Sequence, residues 1–218
     1  MAEKTDVVVI GAGVVGCSIA YYLAREGIKV ALLERESIGS GSSAHATGFI
    51  SLLGTEFTPG PSFRFGLESY NEFPQLVSEL EEATGMDLLY QRRPSLRLAL
   101  EESEEQLIKE MMSWQQEHVK MHWITADEVR ALEPRLTPSL RGAVYEDESA
   151  QLDSYRLNLA LAASAEKKGA RTINRKVTGL VCEGNRVTGV RTDGGDITCD
   201  TVVISAGLWS PLFQKDLE

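Results

Sequence analysis

Three stretches of small residues and one acid carry the chemistry that this sequence offers. GAGVVG, residues 11–16, puts glycines where a backbone must turn tightly or come close to something else. Without a Cβ, Gly11 permits the turn, Gly13 lets an anion reach the main chain, and Gly16 lets a following helix pack against the preceding strand. A phosphate set against Val14 and Val15 would meet the unpaired N–H groups and the positive dipole end of that helix. Glu34 stands 23 residues beyond Gly11, near the spacing at which a carboxylate accepts hydrogen bonds from an adenosine ribose. The loop GSGSSAHATGFI, residues 39–50, is almost stripped of bulk. Its N–H groups and the hydroxyls of Ser42 and Ser43 could form a second anion cradle. His45 sits in that loop, either as a solvated side chain or laid against a large ligand. Ala206 and Gly207 follow an apolar run, at a turn where a bulky side chain would collide with a bound cofactor.

Regular elements must hold these groups in place. DVVVI, residues 6–10, is a continuous β-branched run that suits a strand buried on both faces of a parallel sheet. CSIAYYLARE has helical periodicity, Gly27 stands where a helix would be capped, and KVALLE is a second buried strand ending in Glu34. Strand, glycine turn, helix, strand and acid describe a dinucleotide-binding βαβ unit. A nicotinamide-binding unit normally continues into another helix and strand. Here the chain enters the small-residue loop at once, which leaves room for a ribityl chain and a large flat ring. That favours FAD over NAD, with an NAD-dependent dehydrogenase as the rival on the same fold. VVIS, residues 202–205, reads as the last buried strand. Ahead of it, alternating segments around 177–182, 187–191 and 197–199 are separated by EGN and DGG, which predicts an antiparallel β-meander in place of the usual crossover helix.

With these parts in order, the sequence resembles the FAD-dependent amino-acid and amine oxidoreductases, the family of D-amino-acid oxidase, glycine oxidase and sarcosine oxidase. The resemblance runs over essentially the whole chain, through VVVIGAGVVGCSIAYYLAREG, GSSAHATGF, GAVYEDESAQLDSYRLNLALAASAEKKGA and VVISAGLWS. The segments SGSSAHATGFI, SYNEFPQLVSELEEATG and PSLRLA resemble the dimethylglycine and sarcosine dehydrogenase branch, whose loop carries a histidine bonded covalently to the flavin. The resemblance implies that Gly11, Gly13, Val14, Val15 and Gly16 face the pyrophosphate, and that Glu34 holds the ribose with Arg35 beside it. It implies that Ser42 and Ser43 reach the phosphates, that Thr47, Gly48 and Phe49 lie near the isoalloxazine, and that the backbone at Val177 meets the adenine. Ala206 and Gly207 would close over the cofactor with Trp209 stacked behind them. His45 falls on the flavin-linking histidine, while Ala44 and Thr47 replace the branch's tryptophan and alanine. No catalytic residue is assigned.

The expected fold is therefore α/β: a Rossmann-type FAD-binding domain with a β-meander crossover and an inserted, incomplete α+β substrate domain. Residues 1–60 and 145–218 form the first and residues 61–144 part of the second. Helices are expected around residues 66–85, with Pro74 kinking or dividing the first, around 101–118, and after the capping-box pair Thr125 and Glu128. DLLY, PSLRLAL and RGAVYE are short strand candidates. His118 and His122 are four apart and could share a helix face, but two histidines without a carboxylate make a poor metal site, so none is assigned. Arg97 could meet a substrate carboxylate or simply be solvated. The net charge of −10 gives no electrostatic reason to bind nucleic acid. Three cysteines without C-x-x-C spacing read as buried thiols in a reducing compartment. Glycines interrupt the longest apolar stretch and the leader MAEKTD is not basic, so neither a signal peptide nor a membrane span is expected, and the location is read as cytoplasmic.

The function implied is oxidation of the C–N bond of a small amino acid or N-methylated amine, of the glycine, sarcosine, dimethylglycine or D-amino-acid type. The alternatives are a truncated or non-catalytic flavin-binding subunit that needs a partner and, behind it, the NAD-dependent dehydrogenase; the partners expected are a small amine or amino-acid substrate and either a partner subunit or further copies of the chain. Because family members continue well past AGLWSP, these 218 residues are expected not to turn over substrate alone.

Overall fold

A computed structural model describes residues 3–52 and 58–216. It divides into two compact units: residues 1–47, 78–88 and 153–218, and residues 48–77 and 89–152.

In the first unit, β2 (Val7–Ile10) is buried along its whole length, as expected of a strand covered on both faces. It pairs in parallel with β3 (Val30–Glu34) on one side and β14 (Thr201–Ile204) on the other, and β10 (Arg171–Asn174) completes the order β10-β3-β2-β14. Helix α1 (Val14–Arg25) buries Gly16, Cys17, Ala20, Tyr21 and Ala24, one stripe at helical spacing. Gly27, just past its end, has φ +79, the left-handed conformation that a helix terminator needs. The stripe packs on α5 (Ser154–Lys167), whose N-cap Asp153 accepts a hydrogen bond from the Arg156 N–H at 2.9 Å. The meander is present as β11 (Val177–Glu183), β12 (Arg186–Thr192) and β13 (Ile197–Thr198), and β1 (Glu3–Lys4) joins β13 in parallel. Leu180, Val190 and Ile197 pack with Val8, Ala31 and Leu33, so the meander and the parallel sheet share one core. The helical turns Gly207–Asp216 close that core with Phe213.

The second unit holds two three-stranded antiparallel sheets. One has the order β4 (Phe49–Ile50), β9 (Ala150–Gln151), β5 (Gln91–Arg92). The other has β6 (Ser95–Ala99), β8 (Gly142–Glu146), β7 (Met121–Thr125). Helix α2 (Pro61–Thr84) runs unbroken through Pro74, so the division expected there does not occur. Its residues Phe63 and Tyr70 pack with Ile108 of α3 (Glu102–Gln115), and with Met121 and Val144. Thr125 and Glu128 do form a capping box, at the start of α4 (Ala126–Leu132). PSLRLAL and RGAVYE supply β6 and β8, but residues 87–90 are not a strand. The domain boundaries expected from sequence differ from these units. Residues 48–52, 58–60 and 145–152 group with the second unit, while residues 78–88, including the last turns of α2, group with the first. Among the described residues no helix is long and apolar enough to cross a membrane.

Candidate cofactor-binding site

The first unit contains a cavity of about 460 Å³ where β2, β3 and β14 end. The carboxyl ends of parallel strands are the usual ligand position in such sheets. Gly11 opens it with φ +100, and a Cβ there would stand 2.6 Å from the Ser205 carbonyl oxygen. At Gly16 a Cβ would come within 1.9 Å of the Gly11 carbonyl oxygen, which fixes this residue as the point where α1 presses on the turn. Gly13 is the N-cap of α1 and supplies no side-chain cap. Instead the Val14 N–H donates to Ser43 Oγ at 2.9 Å, and that hydroxyl keeps its own proton to donate elsewhere.

The two small-residue loops are braced together. Glu34 Oε2 accepts from the Ala12 N–H at 2.9 Å and Oε1 from the Glu36 N–H at 3.0 Å. The Ala12 carbonyl accepts from the Gly39 N–H at 2.8 Å. Ser205 Oγ donates to the Ile10 carbonyl at 2.9 Å, tying β14 to the start of the glycine turn. Beneath the turn, Cys17 Sγ donates to the Ala12 carbonyl at 3.3 Å. Burial, reinforced by the Glu34 charge, pushes this thiol up to about 12, so it braces the turn as a protonated donor and is no nucleophile.

Most residues assigned from the sequence line the cavity: Gly11, Gly13, Val14, Val15, Glu34, Arg35, Ser42, Ser43, Val177, Ala206, Gly207 and Trp209. Two roles change. Gly16 is buried against the turn instead of lining the space where a pyrophosphate would lie. Trp209 stacks on Arg35, with the guanidinium carbon 4.1 Å from the ring centroid, and the Trp209 backbone N–H donates to the Ala206 carbonyl at 3.0 Å. His45, at the end of the single turn Ser42–His45, is exposed and does not line this cavity, and neither does Thr47. Gly48 and Phe49 belong to the second unit. Gly48 has φ +70, and a Cβ there would meet the Leu152 carbonyl oxygen at 1.9 Å, so packing alone accounts for that glycine.

Sequence reasoning missed Ser205, Glu36, Arg175 and Lys176, which also line the cavity. Ser205 had a signal in its place just before Ala206-Gly207, whereas Arg175 and Lys176 follow β10, a strand with no legible pattern. His118 lies in the turn after α3, 5.4 Å from the Phe63 ring, and His122 lies on β7, so they share no helix face. Among the described residues no group of His, Cys, Asp and Glu is arranged to hold a metal ion. Arg97 sits on β6, half-buried beside Met111, Met112 and Met121.

A glycine turn on a parallel sheet, a carboxylate at the end of the second strand and a meander crossover define a Rossmann-type dinucleotide-binding protein of the flavin-dependent kind. The chain belongs to the DAO family of FAD dependent oxidoreductases, whose model matches residues 6–218. It is 30% identical to a glycine oxidase of Geobacillus kaustophilus (96% of this chain, 56% of that protein). It is 31% identical to the mitochondrial dimethylglycine dehydrogenase of Homo sapiens (95% of this chain, 24% of that protein). The structure of glycine oxidase from Bacillus cereus superposes with a TM-score of 0.87 at 38% identity, covering 97% of this chain and 58% of that one. The chain thus spans little more than half the length of these glycine oxidases.

Proposed function

We propose that the first-unit cavity holds FAD and that the protein serves the oxidation of a C–N bond in a small amino acid or N-methylated amine. The observation carrying this reading is the cradle itself: a helix start without a side-chain cap, a glycine whose added Cβ would stand 3.1 Å from Ser43 Oγ, and a carboxylate braced beside them. In this assignment the Val15 N–H, with the hydroxyls of Ser42 and Ser43, binds the pyrophosphate, and Glu34 accepts from the adenosine ribose. Each Glu34 oxygen already holds one backbone N–H, and the remaining lone pairs serve the sugar. Ala206 and Gly207 keep side chains out of the cofactor's path. A bound flavin supplies the acceptor for the hydride, and the protein orients the amine and excludes water. The names of the glycine oxidase and dimethylglycine dehydrogenase relatives support the substrate class, and the family's dependence on FAD supports the cofactor.

The test is saturable binding of FAD and NAD to the purified chain, together with the Gly13→Val variant. FAD should bind and NAD should not, since nothing in the cavity selects a nicotinamide. Gly13 has φ −75 and ψ −179, extended backbone that valine adopts freely, so the variant should fold normally yet lose FAD. Binding of NAD alone overturns the reading.

A further inference from the structure

We propose that the second unit holds an alkali cation at a buried oxygen cluster centred on Glu146. Glu146 ends β8 and is fully buried. Its Oε2 accepts from the hydroxyls of Ser51, just after β4, and Ser149, just before β9, both at 2.6 Å. Ser95, on β6 directly across from Glu146, completes the cluster. Its Oγ lies 2.6 Å from Ser149 Oγ and 3.4 Å from Glu146 Oε2. Glu146 Oε1, by contrast, is buried with no hydrogen-bond partner.

A hydroxyl has one proton to give, and each one in this cluster is spent. Ser51 and Ser149 give theirs to Oε2, so Ser95 gives its own to Ser149. The Tyr70 phenol of α2 donates to the Glu148 carbonyl. What remains in the cluster is lone pairs and one negative charge. A carboxylate taken out of water is costly unless a cation or a full set of donors offsets it. Among the described residues no ion pair includes Glu146: Lys120 pairs with Glu148 at 3.4 Å, Arg92 lies over the Tyr70 ring at 5.7 Å, and Arg97 lies beside Met111, Met112 and Met121. Hard oxygen donors carrying a single charge suit sodium or potassium. Calcium takes about six to eight oxygens, usually from several carboxylates, and among the described residues no such group exists. A cation on Glu146 Oε1 and the serine oxygens ties the sheet of β6, β8 and β7 to the sheet of β4, β9 and β5 within the second unit.

The test is thermal unfolding of the chain in sodium, potassium and choline chloride at one ionic strength, with sodium NMR linewidths followed in parallel. Choline keeps the screening constant but is too large for the cluster. Sodium or potassium at roughly ten times its dissociation constant should raise the midpoint by about 4 °C over choline. The protein should broaden the sodium line, and added potassium should narrow it again by displacement. The ion that acts at the lower concentration is the one the cluster selects. Glu146→Gln, an uncharged amide of the same shape, should lose both responses, with circular dichroism checking that it folds. Glu110→Gln, exposed on α3, should keep them. Ser95→Ala removes one ligand oxygen and should raise the cation concentration needed several-fold. No difference among the three salts overturns the inference, and Oε1 is then met by water instead. A response that Glu146→Gln keeps also overturns it, because the ion then sits elsewhere. If the glutamine variant does not fold, a response unchanged in Ser95→Ala overturns it in the same way. None of these outcomes bears on the FAD assignment, which concerns the first unit.

Discussion

Gly13 and Gly16 belong to one motif yet answer to different forces. Next to Gly13 lies a serine hydroxyl that can give way, so a side chain there costs ligand space. Next to Gly16 lies the backbone oxygen of Gly11, 1.9 Å from any added Cβ, and backbone in a packed turn does not give way. Gly16→Ala should therefore lower the urea midpoint of unfolding by an amount equal to about 2–3 kcal/mol, a cost of the overpacking kind, with or without nucleotide. An unchanged midpoint would mean that α1 can slide off the turn. His45 is the residue where the loop sequence asked most and the geometry answers least. It is exposed and outside the cavity, and only the resemblance of its loop to the flavin-linking loop keeps a covalent bond as the reading to test. Acid precipitation of the FAD-loaded protein decides this: colour in the pellet establishes the bond, and colour in the supernatant excludes it. In the second case His45→Ala should leave the affinity for FAD nearly unchanged, as befits a solvated side chain. The motif glycines were legible because each relieves a steric demand that the pattern itself announces. The Arg35–Trp209 contact was not, because it joins residues 174 positions apart whose pairing depends on strand order.

Among the elements, the strands of the parallel sheet and the capping box were the readable ones, although β14, expected to be buried, is a half-exposed edge strand. β2, β3 and β14 declared themselves by β-branched runs, and the capping box at Thr125 by its spacing. The two-residue strands β4, β5 and β9 have too few positions to show a period, and β10 (RTIN) has no apolar run. β8 was read as a strand, but its final acid misleads. Period-two alternation puts Glu146 on the face of Val144, in the core, where hydropathy alone would send a carboxylate outward. There Glu146 is fully buried, and its Oε2 accepts from the hydroxyls of Ser51 and Ser149, both at 2.6 Å. Burial, with the Glu146 charge as the next cause, pushes the nearby Tyr70 phenol up to about 12, so it stays protonated and donates to the Glu148 carbonyl. Glu146→Ala would remove the shared acceptor of the Ser51 and Ser149 hydroxyls and leave a cavity, a loss of about 3 kcal/mol by urea titration. Glu146→Gln keeps a carbonyl acceptor of the same shape and should recover most of that. If alanine and glutamine destabilise alike, the charge itself is what the second unit requires.

For the molecule as a whole, the question is whether these 218 residues can complete an amine oxidation. In the described residues β14 is paired on one side only, so one row of its N–H and C=O groups has no strand partner. Leu208 is 87% exposed and Leu212 63%, both on the wall of the cavity, an apolar surface of the kind that another segment normally covers. A cavity with such a wall admits water, and water weakens the electrostatic steering of a reacting amine. The FAD-loaded chain should therefore hold its cofactor weakly, tend to associate as concentration rises, and leave the flavin oxidised when mixed anaerobically with glycine, sarcosine, dimethylglycine or D-amino acids. The measurement is the flavin absorbance band, followed over time for each compound, with sedimentation reporting association. Addition of a polypeptide corresponding to the remaining part of a related glycine oxidase should restore bleaching by its substrate if the exposed β14 edge and the Leu208–Leu212 surface are where that part packs. Rapid bleaching by any amine without such an addition would mean that the reacting centre is already complete within this chain, and that the exposed leucines serve some other contact.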